Sequence, residues 1–248
     1  IQTAEAQLFV PQTFIQPEDD FQILKDSGLF DSFQKKGLIN PTQISINKGN
    51  LGVNQSQITG FVFEKIEETG GVKDIFKLDN VPESNRSVIT ISTKKYTRWS
   101  AFKEEQLSTM LEAASFLGPY VSAIGFTYVD VFKWEESGPI PVKEIFNTES
   151  ELITQKFLNS VNGTLTLISQ GGSKNLKTEE KTEMVFNNDI KRVHVLHQFV
   201  IKLNGFKKIN NNNTSDLISL FDNAHSEHKN FIDSVLSSKC KKSIHFVK

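Results

Sequence analysis

The segment "AHSEHKNF" (224–231) sets two histidines three residues apart, His225 and His228, with Glu227 between them. On a helix, imidazoles at i and i+3 share a side and supply two of the donors a zinc site needs; at least one more must come from elsewhere. A helical wheel aligns Leu217, Phe221, Ala224, His228, Phe231 and Val235 in one stripe, with Ile218, His225 and Ile232 beside it. Glu227 falls off that face, so this helix offers no third ligand. A second pair, His194 and His197 in "VHVLHQF", reads as strand, where an offset of three sends the rings to opposite faces. One of them, reaching the helix pair across a core, would complete a three-histidine site. The plainer expectation is histidines packed and hydrogen-bonded in the core or at its margin, where they can still respond to pH.

Asp130 is the other candidate. "VSAIGFTYVDVFKW" alternates, placing Ile124, Phe126, Tyr128, Asp130, Phe132 and Trp134 on one strand face. A carboxylate on an apolar face must find donors or take up a proton. It reads either as an acid or ligand contact in a pocket walled by Tyr128, Phe132 and Trp134, or as a structural group tied to backbone amides. No second acid or histidine sits at a spacing that would support catalysis with it. Cys240, in "SSKCKKS", has lysines that could lower its pKa but no histidine within helical reach to act as base, and reads as a bystander on a basic tail. "TGG" (69–71) and "QGG" (170–172) lack the strand–loop–helix order and the lysine of a phosphate loop, and there is no G-x-S-x-G, H-E-x-x-H or C-x-x-C. No catalytic residue and no cofactor is assigned. The candidate ligand set is Asp130, Tyr128 and Trp134, with His225 and His228 as weak metal candidates.

These residues need elements to position them. "QLFVPQTFI" (7–15) predicts an edge strand, because Pro11 cannot donate to a ladder. The run from Pro17 to Gly37 predicts a helix in two pieces, weakened at Gly28. Strands are predicted at 56–66, 73–79 and 86–96. "RWSAFKEEQLSTMLEAASFLG" predicts a long helix with Trp99, Phe102, Met110, Leu111, Ala114 and Leu117 on one stripe, Thr97 as N-cap and Gly118 as its stop. "SGPIP" (137–141) divides the chain into 1–136 and 142–248. After it come a short helix near 148–158, a strand at 161–170, a polar loop "GGSKNLKTEEKTE", strands within 184–203, the loose linker "NGFKKINNNNTSD" and a final helix near 215–236. The fold class is α+β, antiparallel sheet with long amphipathic helices packed on it, in two similar lobes or one compact domain.

Composition narrows the function. The 248 residues suffice for a large core, and 20 phenylalanines against 2 methionines favour stiff packing over a plastic binding groove. A net charge of -1 gives no general pull toward nucleic acid or anionic lipid. Only convergence of the basic, aromatic-flanked clusters "FQKKG", "TKKYTRW", "GFKKIN" and "KCKK" would grip a single strand. One cysteine precludes an internal disulfide and suits a reducing cytoplasm. No apolar run approaches the ~20 residues that span a bilayer, and the first residues show neither the basic n-region nor the apolar h-region of a signal peptide.

"YTRWSAF" spaces Tyr96, Trp99 and Phe102 by three residues at a helix start, and the strand "IGFTYVDVF" follows. This resembles a sporadically distributed bacterial family of unknown function that has a Tyr-x-x-Trp-x-x-Phe helix start, a Gly-Leu-Arg-Tyr-Ile-Asn-like strand and a closing helix similar to "LISLFDNAHSEHKNFIDSVLSSK". The similarity runs in order from about residue 88 to 240, with His225 at the family's histidine. Thr127 and Asp130 depart from its Arg and Asn. The resemblance implies a cytoplasmic α+β protein, in a mobile-element or defence-linked setting, with no catalytic residue to transfer. The leading expectation is a non-enzymatic protein acting through a protein partner or as a homo-oligomer. A small-ligand binder or enzyme around Asp130 and a single-strand nucleic-acid binder are its rivals.

Overall fold

The computed structural model describes the chain except residues 1, 48–49, 56, 174–175, 211–212 and 244–248. In order, the elements are β1 (Thr3–Val10), α1 (Pro17–Asp26), β2 (Lys35–Ile39), β3 (Thr42–Asn47), β4 (Asn50–Gln55), β5 (Gly60–Ile66), β6 (Val72–Val81) and β7 (Arg86–Thr93). Then come α2 (Trp99–Phe102), a π-helical segment (Lys103–Leu107), α3 (Ser108–Leu117), β8 (Tyr120–Lys133), α4 (Val142–Ile145) and α5 (Gln155–Leu158). β9 (Gly163–Ser173), β10 (Leu176–Asn187), β11 (Arg192–Lys208), α6 (Thr214–Val235) and α7 (Ser238–Ser243) complete the chain.

Nine strands form one antiparallel sheet in the order β2-β5-β6-β7-β1-β8-β11-β10-β9, and β3–β4 is a separate hairpin. The fold is α+β. "SGPIP" does not separate two sheets: β8, before it, pairs with β11, after it. Strands on one side of that segment supply six of the nine, and those on the other side three.

Five expectations are corrected. β1 lies at the centre, not the edge, with Ala4 opposite Thr93 of β7 and Tyr128 of β8. Pro11 falls just past the strand, so its missing N–H ends the ladder without breaking it. The second piece of the predicted helix after Pro17 is a turn leading into β2, since Gly28 adopts φ 78 and the chain bends there. The supposed loop 171–183 is largely the facing ends of β9 and β10, its charged side chains alternating along a paired strand; positions 174–175 lie outside the described residues. In the asparagine-rich linker β11 persists to Lys208, while positions 211–212 lie outside the described residues. Thr97 is not a cap: Arg98 precedes the first turn, without a side-chain bond. Gly118 does close α3, in the left-handed region.

The α1, α3 and α6 helices pack on one face of the sheet, over two apolar clusters. The larger gathers the first-half strands with Phe126, Phe199 and Phe221; the smaller gathers Val195, Met184, Phe231 and Val235. Strands pack closely at Gly60, where a Cβ would overlap the Leu78 carbonyl of β6. Gly60→Ala is expected to cost about 1–3 kcal/mol through that overlap, read as a lowered urea midpoint with unchanged m-value.

The two clusters meet at a polar level. Along β11 it falls at His197, between Val195 and Phe199; along α6 at His228, between Ala224 and Phe231; along β8 at Asp130, beyond Phe126 and Tyr128. Three elements from distant parts of the chain each place a polar residue near this junction.

A buried histidine–tyrosine network

The alternation of β11 turns His197 inward with Val193, Val195 and Phe199, leaving His194 on the opposite face. His197 sits directly across from Tyr128 on β8 and Thr182 on β10. From above, α6 lowers His228 onto this row: its ring stacks on Tyr128 with centroids 3.9 Å apart, and its Nδ1 lies 3.1 Å from Nδ1 of His197. His197 Nε2 lies 2.8 Å from Glu180 Oε1. His197 and His228 are 1% and 2% exposed, so water reaches neither ring.

Tautomers follow from the partners. His197 Nε2–H donates to the Glu180 carboxylate, leaving its Nδ1 to accept from His228 Nδ1–H. That bond holds the Glu180 carboxyl below its usual range. His228 Nε2 is then without a proton and faces Asp130 Oδ2 at 3.7 Å. Burial pushes His228 well below the usual imidazole range, and the neighbouring histidines add to this. Burial also raises the Asp130 carboxyl, against a pull from His197 and His194. Burial opposes a charge on His228, so its contact with Asp130 is a polar contact and not an ion pair.

A second branch leaves Tyr128. Burial drives its hydroxyl well above the usual phenol range and that of Tyr96 to about 12, so both remain O–H donors. Tyr128 donates to His225 Nδ1 at 2.6 Å, and Tyr96 stands 3.3 Å from Tyr128 as a donor to the same oxygen. His225 is lowered to about 4, first by burial and then by Lys229. Its ring stacks on Trp99 at 4.8 Å, and Trp99 Nε1 donates to Asp222, which also holds Lys103. The Tyr96–Trp99–Phe102 spacing thus bolts the first helical run to β8 and α6.

The sequence candidates are therefore split. Asp130 and Tyr128 join the network, with His225 and His228 on two separate sides of Tyr128. Trp134 lies apart, lining a cavity of about 480 Å³ with Phe132, Pro139 and Cys240. Asp130 does find a histidine, His228, which lies 98 positions away and is invisible to spacing. Cys240 is buried within the smaller apolar cluster, and burial raises its thiol, so the lysines flanking it do not activate it. Among the described residues no three His, Cys, Asp or Glu side chains converge as metal ligands. No spacing in the sequence pairs His197 with Glu180. The buried face of β11 pointed to His197, whereas Glu180 sits in a run that resembles a polar loop.

Chemically, the row Asp130, His228, His197 and Glu180 can hold and pass protons between a buried carboxyl and a half-exposed one. Among the described residues, five surface cavities of about 230–480 Å³ are lined without Asp130, His197 or His228. No family model, curated protein or solved structure shows significant similarity to the chain. Among the described residues no helix is long and apolar enough to cross a membrane.

Proposed function

We propose that this chain is a non-enzymatic interaction protein that pairs with a second copy of itself through the outer edge of β9. One observation carries the reading: β9, "GTLTLISQGGS", ends the sheet as an eleven-residue strand without a single charge or proline. An edge of this kind presents unpaired backbone N–H and C=O groups to any other strand, and proteins that stay monomeric usually blunt it with lysine, proline or a short strand. The opposite edge is blunted in that manner: β2 has five residues and begins Lys35-Lys36. Thr164, Thr166 and Ile168 are exposed on β9, Ile168 to 68%, while Leu165 and Leu167 pack against the smaller apolar cluster.

A second copy suits the edge by symmetry. Antiparallel self-pairing about Leu167 sets Thr166 opposite Ile168 and Leu165 opposite Ser169, with no like charges facing. The sheet of each copy would continue into the other. The lone, buried Cys240 supports a reducing compartment, the cytoplasm, as the place where this happens. The buried network supports the non-enzymatic half of the reading, because its central residues line none of the five cavities.

Sedimentation equilibrium tests it. The wild-type chain should dimerise, with a dissociation constant below about 1 mM, as a small interface allows. Ile168→Lys, at an exposed position, should be monomeric at the same concentration and change stability by less than about 0.5 kcal/mol. A wild type that stays monomeric to that concentration, or a variant that dimerises equally well, rules out the β9 pairing.

A further inference from the structure

The π-helical segment Lys103–Leu107 inserts a wider turn between α2 and α3, and Gln106 is where it delivers a polar side chain inward. Gln106 follows Phe102 and precedes Met110 by four residues each, so it occupies the apolar stripe of this helical run. It is 8% exposed, and its side chain forms no hydrogen bond among the described residues. Its amide atoms are not among the fully occluded, unpaired ones. They remain open to a cavity of about 300 Å³ that the residue lines. A buried primary amide without a partner costs stability, and π-bulges recur where a side chain must be re-aimed for binding.

Charge around that cavity is mostly positive. Arg98, Lys73 and Lys95 line it, against Glu105. Lys95 is shared with Glu67 at 2.7 Å, and Lys73 lies 4.0 Å from buried Asp74, whereas Arg98 is exposed and enters no ion pair among the described residues. A guanidinium fork beside an amide N–H matches two oxygens of one tetrahedral anion, and the amide oxygen can accept from a third that is protonated. The geometry points to a binding site for a phosphate group here, with Arg98 and Gln106 as its recognition residues and the two lysines as its electrostatic rim. Tyr96 forms part of the wall, and its hydroxyl bonds Tyr128 of the buried network. This site stands independently of the β9 edge, on the other half of the sheet.

The experiment is calorimetric titration of the full chain with inorganic phosphate and with phenyl phosphate at low salt. Wild type should bind both with dissociation constants below about 1 mM. Tighter phenyl phosphate would identify an organic monoester as the ligand class, and equal binding a free anion. Arg98→Ala, at an exposed position, should weaken binding roughly tenfold. Gln106→Leu, which keeps volume and removes the amide, should weaken it about fivefold. Added salt should weaken the wild type most. No heat with either probe up to about 10 mM, or unchanged affinity in both variants, overturns the inference.

Discussion

Lowering the pH from 6.5 toward 4 is expected to destabilise this protein steeply. The cause is the pair of histidines that α6 carries into the core. Unfolded, His225 and His228 titrate near their ordinary value; folded, burial holds His225 at about 4 and His228 well below its usual range. Below pH 6.5 the unfolded chain therefore binds protons that the native state refuses. The stability they confer is complete above 6.5 and is lost as pH falls toward the folded values. Each fully excluded proton sets a slope of about 1.4 kcal/mol per pH unit. His228 should express nearly all of this. His225 should express less, since part of its ring meets water. Asp130 acts in the opposite sense. Its raised carboxyl is protonated in the fold before it is in the unfolded chain, so acidification through that window returns some stability. Urea midpoints measured from pH 7.5 to 4.5 read the net slope. His228→Leu should lose about 1–3 kcal/mol at pH 7.5, because His197 Nδ1 is left unpaired, and its pH dependence should flatten by about one proton. A variant with the wild-type slope would show that His228 is not the titrating group.

Phe126→Ala should remove about 3–5 kcal/mol, a large part of what a domain usually has. Phe126 is 1% exposed, and its ring meets four others: Tyr128 at 4.5 Å, Trp99 at 5.2 Å, Phe102 at 5.6 Å and Phe221 at 6.1 Å. Those rings come from β8, the first helical run and α6, so one side chain fastens two separate helices to the middle of the sheet. Edge-to-face geometry dominates the set, and each pair adds to simple burial. Phe126→Leu, which refills much of the volume, should recover over half of the loss. The measurement is chemical unfolding followed by tryptophan emission, to which Trp99 reports directly from the cluster. A loss below about 1 kcal/mol for the alanine variant would mean that the helices are held by something other than this ring.

What could be read beforehand was what local rules govern. The alternation in "VSAIGFTYVDVFKW" placed Asp130 and Tyr128 on one buried face, and the wheel for the last helix put His228 among leucine and phenylalanine; the structure agrees on both. The opposite faces of His194 and His197 follow from the same period of two. What escaped was set by pairing across the chain. β1 looks like an edge when Pro11 is read as part of the strand, whereas its true neighbours lie more than seventy residues onward. Glu180 looks like loop because the first half of β10 is rich in charged and polar residues. Gln106 left a gap in an otherwise apolar stripe, a signal that was present and that a π-turn explains only in three dimensions.

The central place of β1 also bears on how the chain is made. Ala4 must meet Tyr128, and so must wait until the chain has grown by a further 124 residues. At about 5–20 residues per second that is on the order of ten seconds after β1 itself has been translated. During that interval the hairpins β5–β6 and β6–β7 can form from near neighbours, while β1 has only one of its two flanks to join. Contacts so distant in sequence also slow refolding from denaturant, because loop closure precedes any gain from pairing. Biogenesis of this protein therefore turns on β8: until that strand leaves the ribosome the sheet has no middle, and the apolar residues of β1 are the stretch a chaperone would find first.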